Sequence, residues 1–370
     1  MSIVLFILLL IVLILVHEFG HFIVAKAFGI KVHEFGIFFP PRIVAKKFGE
    51  TEYSLNWLPF GGFVKIFGEN YDEGGDDPRS FVNKARWKQA AVIVAGIAFN
   101  LLFAWLTLSV GYMVGLPTSA QHQGFGVVGD AAPTVVAVLP DSPAQRAGLM
   151  AGDVVEEVQT GHETFNVSAL GTPPPGASQS RAITSFITTR SDESIVLTVE
   201  RAGRAMVFLA KAQDGIVPGR KVIGVELDDI GSLTLPLHLA LAQGAIVGWD
   251  ITASTAQGLA HFFKQIVTGT ANLSQVAGPI GITVFGAAAI KQGFAAGVVL
   301  IALISINLAL INLIPIPGLD GGRLLVIIVE GILNKRISEG LMTKLTLAGF
   351  ALLILLMLTV SYHDIVRLIG

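Results

Sequence analysis

Two stretches of this chain, residues 89–116 and 292–319, contain no charged side chain. Each is longer than the roughly 20 residues that carry an α-helix across the hydrocarbon core of a bilayer, so each predicts a transmembrane span. A third apolar run begins at Met1 and continues through His17-Glu18-Phe19-Gly20-His21 to about Ala25. It lacks the basic start and small-residue cleavage site of a signal peptide and reads as a retained span. Residues 345–362, rich in Leu at their centre, make a fourth. Only 14% of the chain is charged, against about 25% in soluble domains, and those charges concentrate in residues 26–88 and 130–229. The expected fold class is therefore a polytopic α-helical membrane protein with about four transmembrane helices and two polar regions.

Lys26, Lys31, Lys84, Arg86 and Lys88 flank the first two spans, and Lys335, Arg336 and Lys344 lie between the last two. Basic residues stay on the cytoplasmic side, so both termini and residues 117–290 are expected outside, in a bacterium beyond the inner membrane. The net charge of −2 gives no reason to expect nucleic acid as a partner. With no Cys, disulfides and cysteine-ligated metals are excluded.

The outer region reads as a small mixed α/β domain. Residues 134–139 predict a strand, Ser142 and Pro143 a capped short helix, Gly148 and Gly152 turns, and residues 151–158 a second strand. Further strands are expected near 195–199 and 206–210, and Gly171-Thr-Pro-Pro-Pro-Gly176 as a loop. The order and the Ala-Gly-Leu-x-Ala-Gly-Asp pattern resemble a bacterial PDZ domain over residues 126–212. Such domains capture peptides by adding a strand to a sheet edge. On the cytoplasmic side, residues 33–67 alternate β-forming stretches (42–48, 53–58 and 63–67) with turn signals and predict hairpins rich in aromatics, in contact with the membrane surface. The division is thus a first membrane half (1–116), the PDZ-like domain (126–212), linker and membrane-surface helices (213–291, with a helix at about 231–249) and a second membrane half (292–370).

The chemistry is concentrated in span one. His17 and His21 are one helical turn apart on one face, so both imidazoles can reach a single metal, and Glu18 beside them is a candidate base. Three ionisable groups inside an apolar span cost several kcal/mol unless satisfied, so such a cluster is presumed functional. A catalytic zinc takes three protein ligands and keeps one position open. The best candidate for the third is Asp320, ending the uncharged run in Asn312-Leu-Ile-Pro-Ile-Pro-Gly-Leu-Asp-Gly-Gly322, where Pro315, Pro317 and Gly318 deny the backbone a regular helix. The alternative is that Asp320 only caps the helix that follows. The other histidines (33, 122, 162, 238, 261 and 363) show no metal-ligand spacing.

His-Glu-x-x-His in span one with Asn-x-x-Pro-x-Pro-x-x-Asp-Gly in a later span resembles the site-two protease family. Gly61-Gly-Phe-Val-Lys65 and Ala277-Gly-Pro-Ile-Gly-Ile282 point to its RseP-type branch. The resemblance implies one Zn2+ on His17, His21 and Asp320, with Glu18 as catalytic acid and base. It also implies a role for Asn307 and Asn312 in holding substrate, interhelical hydrogen bonding being the alternative. Gly61 and Gly62 are expected where an unwound substrate strand pairs with the hairpins. Phe38-Phe39-Pro40-Pro41 departs from the Gly-Phe-Gly-Pro usual in the hairpin, and Gly96-Ile-Ala-Phe-Asn100 keeps the Asn but not the Pro of the pattern common in span two. The expected function is regulated intramembrane proteolysis of single-span membrane proteins (anti-sigma factors or remnant signal peptides) after a prior cut, with the PDZ-like domain as gate. The rivals are a non-catalytic membrane scaffold with structural zinc and a metal transporter.

Overall fold

A computed structural model describes residues 2–69, 76–161, 163–167, 178–217, 220–270, 278–291 and 293–369. The expected loop at 171–176, His162 and Ala277 lie outside them. The chain divides into two compact units, Met1–Gly111 with Leu241–Gly370, and Tyr112–Ala240.

The first unit opens with α1 (Ser2–Ala27). It stops where Gly29 takes a φ of +65°, while the amides of Gly29 and Ile30 close on the carbonyls of Lys26 and Ala25 at 3.0 and 2.9 Å, a glycine-terminated helix end. Strands β1 (Val32–Phe48) and β2 (Thr51–Ile66) follow. Hairpins were expected, and the strands form one, with Phe48 paired to Thr51 across the turn. The two strands also bend on each other into one sheet of four segments, the Pro59–Gly62 turn signals being absorbed by register shifts within β2. Residues 34–37 pair with 52–55 on one side and with 62–65 on the other, and residues 42–48 extend the sheet beyond 51–56.

Next comes α2 (Arg86–Val114). Small residues let it approach α1 closely: a Cβ at Gly20 would lie 2.5 Å from the carbonyl oxygen of Ala95. Tight van der Waals contact of this kind holds helices together in lipid, where no hydrophobic force between them operates.

The second unit is a β-sheet domain. It contains β3 (Leu116–Ser119), β4 (Gly129–Val138), α3 (Pro143–Ala147), β5 (Val154–Thr160), β6 (Glu163–Asn166), α4 (Gln179–Thr189), β7 (Ser194–Arg201), β8 (Arg204–Lys211), a small hairpin of β9 (Gln213–Val217) and β10 (Arg220–Val222), and β11 (Val225–Leu233). The seven-stranded sheet runs β3-β11-β4-β5-β7-β8, with β6 on β5. Ser142 caps α3 by accepting from the Gln145 amide, and Gly148 ends it at φ 92°. Asp153, 1% exposed, binds Arg201 through two contacts of 2.6 and 2.7 Å. The expected end of the domain at 212, with a linker beyond, is corrected: β11 is hydrogen-bonded between β3 and β4. Val225 and Leu227 of that strand, with the buried Ile223 just before it, pack against the core of Val135, Val158, Ile195 and Leu197. Helix α4 was not foreseen. It buries Ile183 and Ile187 and is held at its start by Asp229, which accepts from the Ser180 amide and hydroxyl at 2.9 and 2.7 Å.

The chain returns through α5 (Leu237–Val267), α6 (Pro279–Lys291), α7 (Phe294–Leu313), α8 (Asp320–Leu333) and α9 (Glu339–Ile369). The helix expected at 231–249 begins later, since residues 231–233 belong to β11. Among the described residues, four helices are long and apolar enough to cross a membrane: Ser2–Ala27, Arg86–Val114, Phe294–Leu313 and Gly340–Val366. The glycines of the Gly-Pro-Ile-Gly motif seat α6 on α9. The amides of Gly278 and Gly281 donate to the carboxylate of Asp364 at 3.1 and 2.8 Å, and a Cβ on either would collide with it.

Candidate metal centre

Helical spacing puts His17 and His21 on the face of α1 turned toward α2, where they are 6% and 7% exposed. Their neighbour on α2 is Gly96, at which a Cβ would lie 2.4 Å from His21 Nε2 and 2.8 Å from His17 Cε1. A glycine is required there, because any side chain would occupy the space of the imidazoles.

Asp320 arrives from the other half of the unit. Helix α7 ends at Leu313, and Ile314 is extended at φ −64° and ψ 134°, as the residue before a proline must be. The turn through Pro315 and Pro317 folds back on the first residues of α8. A Cβ at Gly321 or Gly322 would lie 2.2 or 2.3 Å from the carbonyl oxygens of Leu313 or Ile316, so the glycine pair allows that turn to pack against the helix start. Asp320 is the first residue of α8, with Leu319 as the cap and no side-chain cap bond. The capping alternative is therefore not what the structure shows: the carboxylate faces the histidines.

His17 Nε2 lies 2.9 Å from Asp320 Oδ2, His21 Nε2 lies 3.2 Å from the same oxygen, and the two Nε2 atoms are 3.2 Å apart. This is the one group of metal-ligating side chains of this kind among the described residues. Tetrahedral zinc with bonds of ~2.0 Å sets neighbouring ligand atoms ~3.3 Å apart, so the triangle has the size that zinc needs, and two imidazoles with one carboxylate suit it chemically. His21 Nδ1 is 2.8 Å from the carbonyl of Val92. A carbonyl only accepts, so this nitrogen carries the proton and Nε2 keeps its lone pair for a metal.

Glu18 lines a cavity of about 340 Å³ together with His21, Asp320, Val64, Arg323 and Thr346. Arg323, one turn beyond Asp320, is paired with Glu69 and lies over the ring of Phe81. Sheet segment 62–66 forms another wall of the cavity through Phe63, Val64 and Ile66. Gly62 lets that segment pass close to α1, since a Cβ there would be 3.0 Å from Leu15 and 3.7 Å from Cγ of Glu18, and Gly61 faces Ile14. Asn312 belongs to the cluster, with its amide nitrogen 3.4 Å from His17 Nε2. Asn307 does not: its amide donates to Leu303 of its own helix at 2.9 Å. Sequence reasoning assigned no part in the site to Gly96 or to the Val92 carbonyl. An uncharged span with a glycine and a buried amide one turn apart was the available signal for the first; a backbone carbonyl leaves none.

The sequence model of peptidase family M50 matches residues 5–356 of the chain. A protein of Clostridium acetobutylicum is 32% identical over 355 residues, which cover 96% of this chain and 94% of that protein. One of Clostridium perfringens is 33% identical over 361 residues, covering 96% and 95%. One of Nostoc sp. is 35% identical over 359 residues, covering 92% and 91%. All three are provisionally named zinc metalloproteases.

Proposed function

The chain belongs to peptidase family M50, the site-two proteases, and is a metalloprotease; from that premise we propose that it is an intramembrane endopeptidase with one zinc held by His17, His21 and Asp320. The observation that carries this reading is the triangle of ligand atoms with edges of 2.9, 3.2 and 3.2 Å, built on a helix apolar enough to span a bilayer with a glutamate beside it. When bound, zinc supplies Lewis acidity to the scissile carbonyl and the attacking water. Glu18 takes a proton from that water as its oxygen bonds to the carbonyl carbon, and returns it to the amine as the C–N bond breaks. Two peptide fragments result. The Asn312 amide donates to the substrate backbone in this reading, which its distance of 3.4 Å from His17 supports.

The substrates we propose are single-span membrane proteins shortened by an earlier cut, anti-sigma-factor-like proteins or remnant signal peptides. A helix hides its carbonyls, so the segment to be cut must unwind. Sheet segment 62–66, walling the cavity, offers an edge for it to pair with. Phe39, Ile43, Val44, Phe48, Trp57 and Leu58 are exposed on the same sheet, which supports immersion of that sheet in lipid at the membrane surface. The basic residues around spans one and two favour the cytoplasmic side for the sheet and the active site, and the outer side of a bacterial inner membrane for both termini and the β domain. That PDZ-like domain would exclude substrates with bulky outer parts.

The test is cleavage of a tagged single-span substrate by detergent-purified protein, with bound zinc measured alongside. Glu18→Gln should keep its zinc and lose cleavage. Undiminished cleavage by Glu18→Gln would overturn the mechanism.

A further inference from the structure

The two histidines are held differently from behind. His21 Nδ1 faces a backbone carbonyl, as described. His17 Nδ1 faces the side chain of Asn100 on α2, whose amide nitrogen is 3.2 Å away. An amide nitrogen only donates and an amide oxygen only accepts, so this side chain serves a protonated Nδ1 only through its oxygen. As a zinc ligand His17 binds through Nε2, the ring atom 2.9 Å from Asp320 Oδ2. Metal there requires the proton on Nδ1 and an acceptor to receive it.

The acceptor is present in the same side chain. Asn100 is fully buried, and its Oδ1 has no hydrogen-bond partner among the described residues. A half-turn about Cβ–Cγ exchanges oxygen and nitrogen in place. The rest of the residue is fixed, since Ser305 Oγ on α7 donates to the Asn100 carbonyl at 2.8 Å. We propose that Asn100 is a positioning residue for His17: its amide oxygen, turned to the ring, accepts the Nδ1 proton and leaves Nε2 free for the metal. Gly96, one helical turn earlier, clears the space in which the ring stands, and the pair explains why α2 carries those two residues at that spacing.

This inference rests on the zinc reading above. It is tested on the full-length protein in detergent by measuring the zinc dissociation constant in competition with a chelator of known affinity, together with the thermal midpoint of the metal-free protein. Outer partners of a ligating histidine typically contribute 10–100-fold in metal affinity. Asn100→Leu should weaken zinc by that factor with little change in the metal-free midpoint, while Asn100→Asp, an acceptor that needs no turning, should bind zinc at least as tightly as wild type. Unchanged zinc affinity in Asn100→Leu overturns the proposal, as does Asn100→Asp binding more weakly than wild type, and the second result decides alone should Asn100→Leu not fold. His17→Ala separates the two ideas: if it keeps wild-type zinc affinity, the ligand assignment fails, whereas loss of zinc in His17→Ala with no effect at Asn100 sinks only the positioning role.

Discussion

Replacing Gly96 by alanine adds a single methyl group to the back wall of the proposed metal site. Built on the present backbone, that Cβ lies 2.4 Å from His21 Nε2, 2.6 Å from His21 Cε1 and 2.8 Å from His17 Cε1. Ordinary contact is ~3.5 Å, so the His21 ring must retreat by about 1 Å or α1 and α2 must separate by as much. Separation is resisted by the Gly20–Ala95 contact, and retreat of the ring breaks the 2.8 Å bond to the Val92 carbonyl. Metal sites tolerate errors of about 0.2 Å in ligand position, and a misplacement of ~1 Å costs a catalyst on the order of 100-fold. Gly96→Ala is therefore expected to lower cleavage about 100-fold and zinc affinity at least about tenfold. The assay pairs a substrate-cleavage time course with zinc content after dialysis against chelator-buffered zinc. Gly297→Ala on α7 is the control, since a Cβ there meets nothing within 4 Å and both readings should stay at wild-type values. If Gly96→Ala holds zinc and cuts normally, the helix crossing is looser than the argument requires and the site is not confined from behind.

Three other outcomes are expected. Removing metal with a chelator should abolish cleavage, and zinc added back should restore it; activity that survives complete metal removal, checked by elemental analysis, would contradict the ligand reading. Gly62→Pro should reduce cleavage of a helical substrate far more than it reduces zinc content, because it disturbs the sheet segment on the cavity wall and not the ligands; equal cleavage by mutant and wild type would remove the strand-pairing step. Asp153→Asn breaks a nearly buried ion pair with Arg201 and disturbs the carboxylate that also accepts from the Met150 amide at 2.9 Å, so the β domain should lose about 3 kcal/mol, read as earlier onset of limited proteolysis within residues 112–240; unaltered proteolysis would show the pair to be dispensable.

What could be read in advance follows from how local each signal is. The spans were legible because apolar length is a property of the chain alone: the first two helices, Ser2–Ala27 and Arg86–Val114, end close to the expected bounds, while the third stops earlier, at Leu313, and the fourth runs longer, over Glu339–Ile369. Ser142, Pro143, Gly148 and Gly152 announce a capped short helix and its turns through backbone preferences that need no partner. Asp320 could be proposed because the prolines before it rule out a helix continuing unbroken to that point. Strand β11 was missed for the opposite reason: residues 225–233 carry Glu226, Asp228 and Asp229, and only pairing with β3 and β4 makes a strand of them. The hairpin of β1 and β2 was legible, but its bend was not, since the register shifts depend on contacts such as Gly36 against the ring of Phe63, where a Cβ would lie 2.3 Å away. Asn307 and Asn312 look alike in the sequence. Five residues apart on one helix, they point in different directions, so that Asn312 reaches His17 and Asn307 turns back on its own helix.

The same contrast bears on how a polar centre persists in an apolar helix. Lipid offers no compensation to His17, Glu18 and His21, and the cost of leaving them unsatisfied there is several kcal/mol. The structure meets it by bringing backbone and amide groups to the rings: Val92 and Asn100 from α2, and Asp320 from the start of α8. None of these could approach if Gly20, Gly96, Gly321 and Gly322 carried side chains. In this centre the glycines are as specific as the ligands, since each marks a place where one segment must come within contact distance of another. A search for related sites should therefore weigh a glycine and an asparagine one turn apart on the second span along with His-Glu-x-x-His, because the first pair makes the second tenable within a membrane.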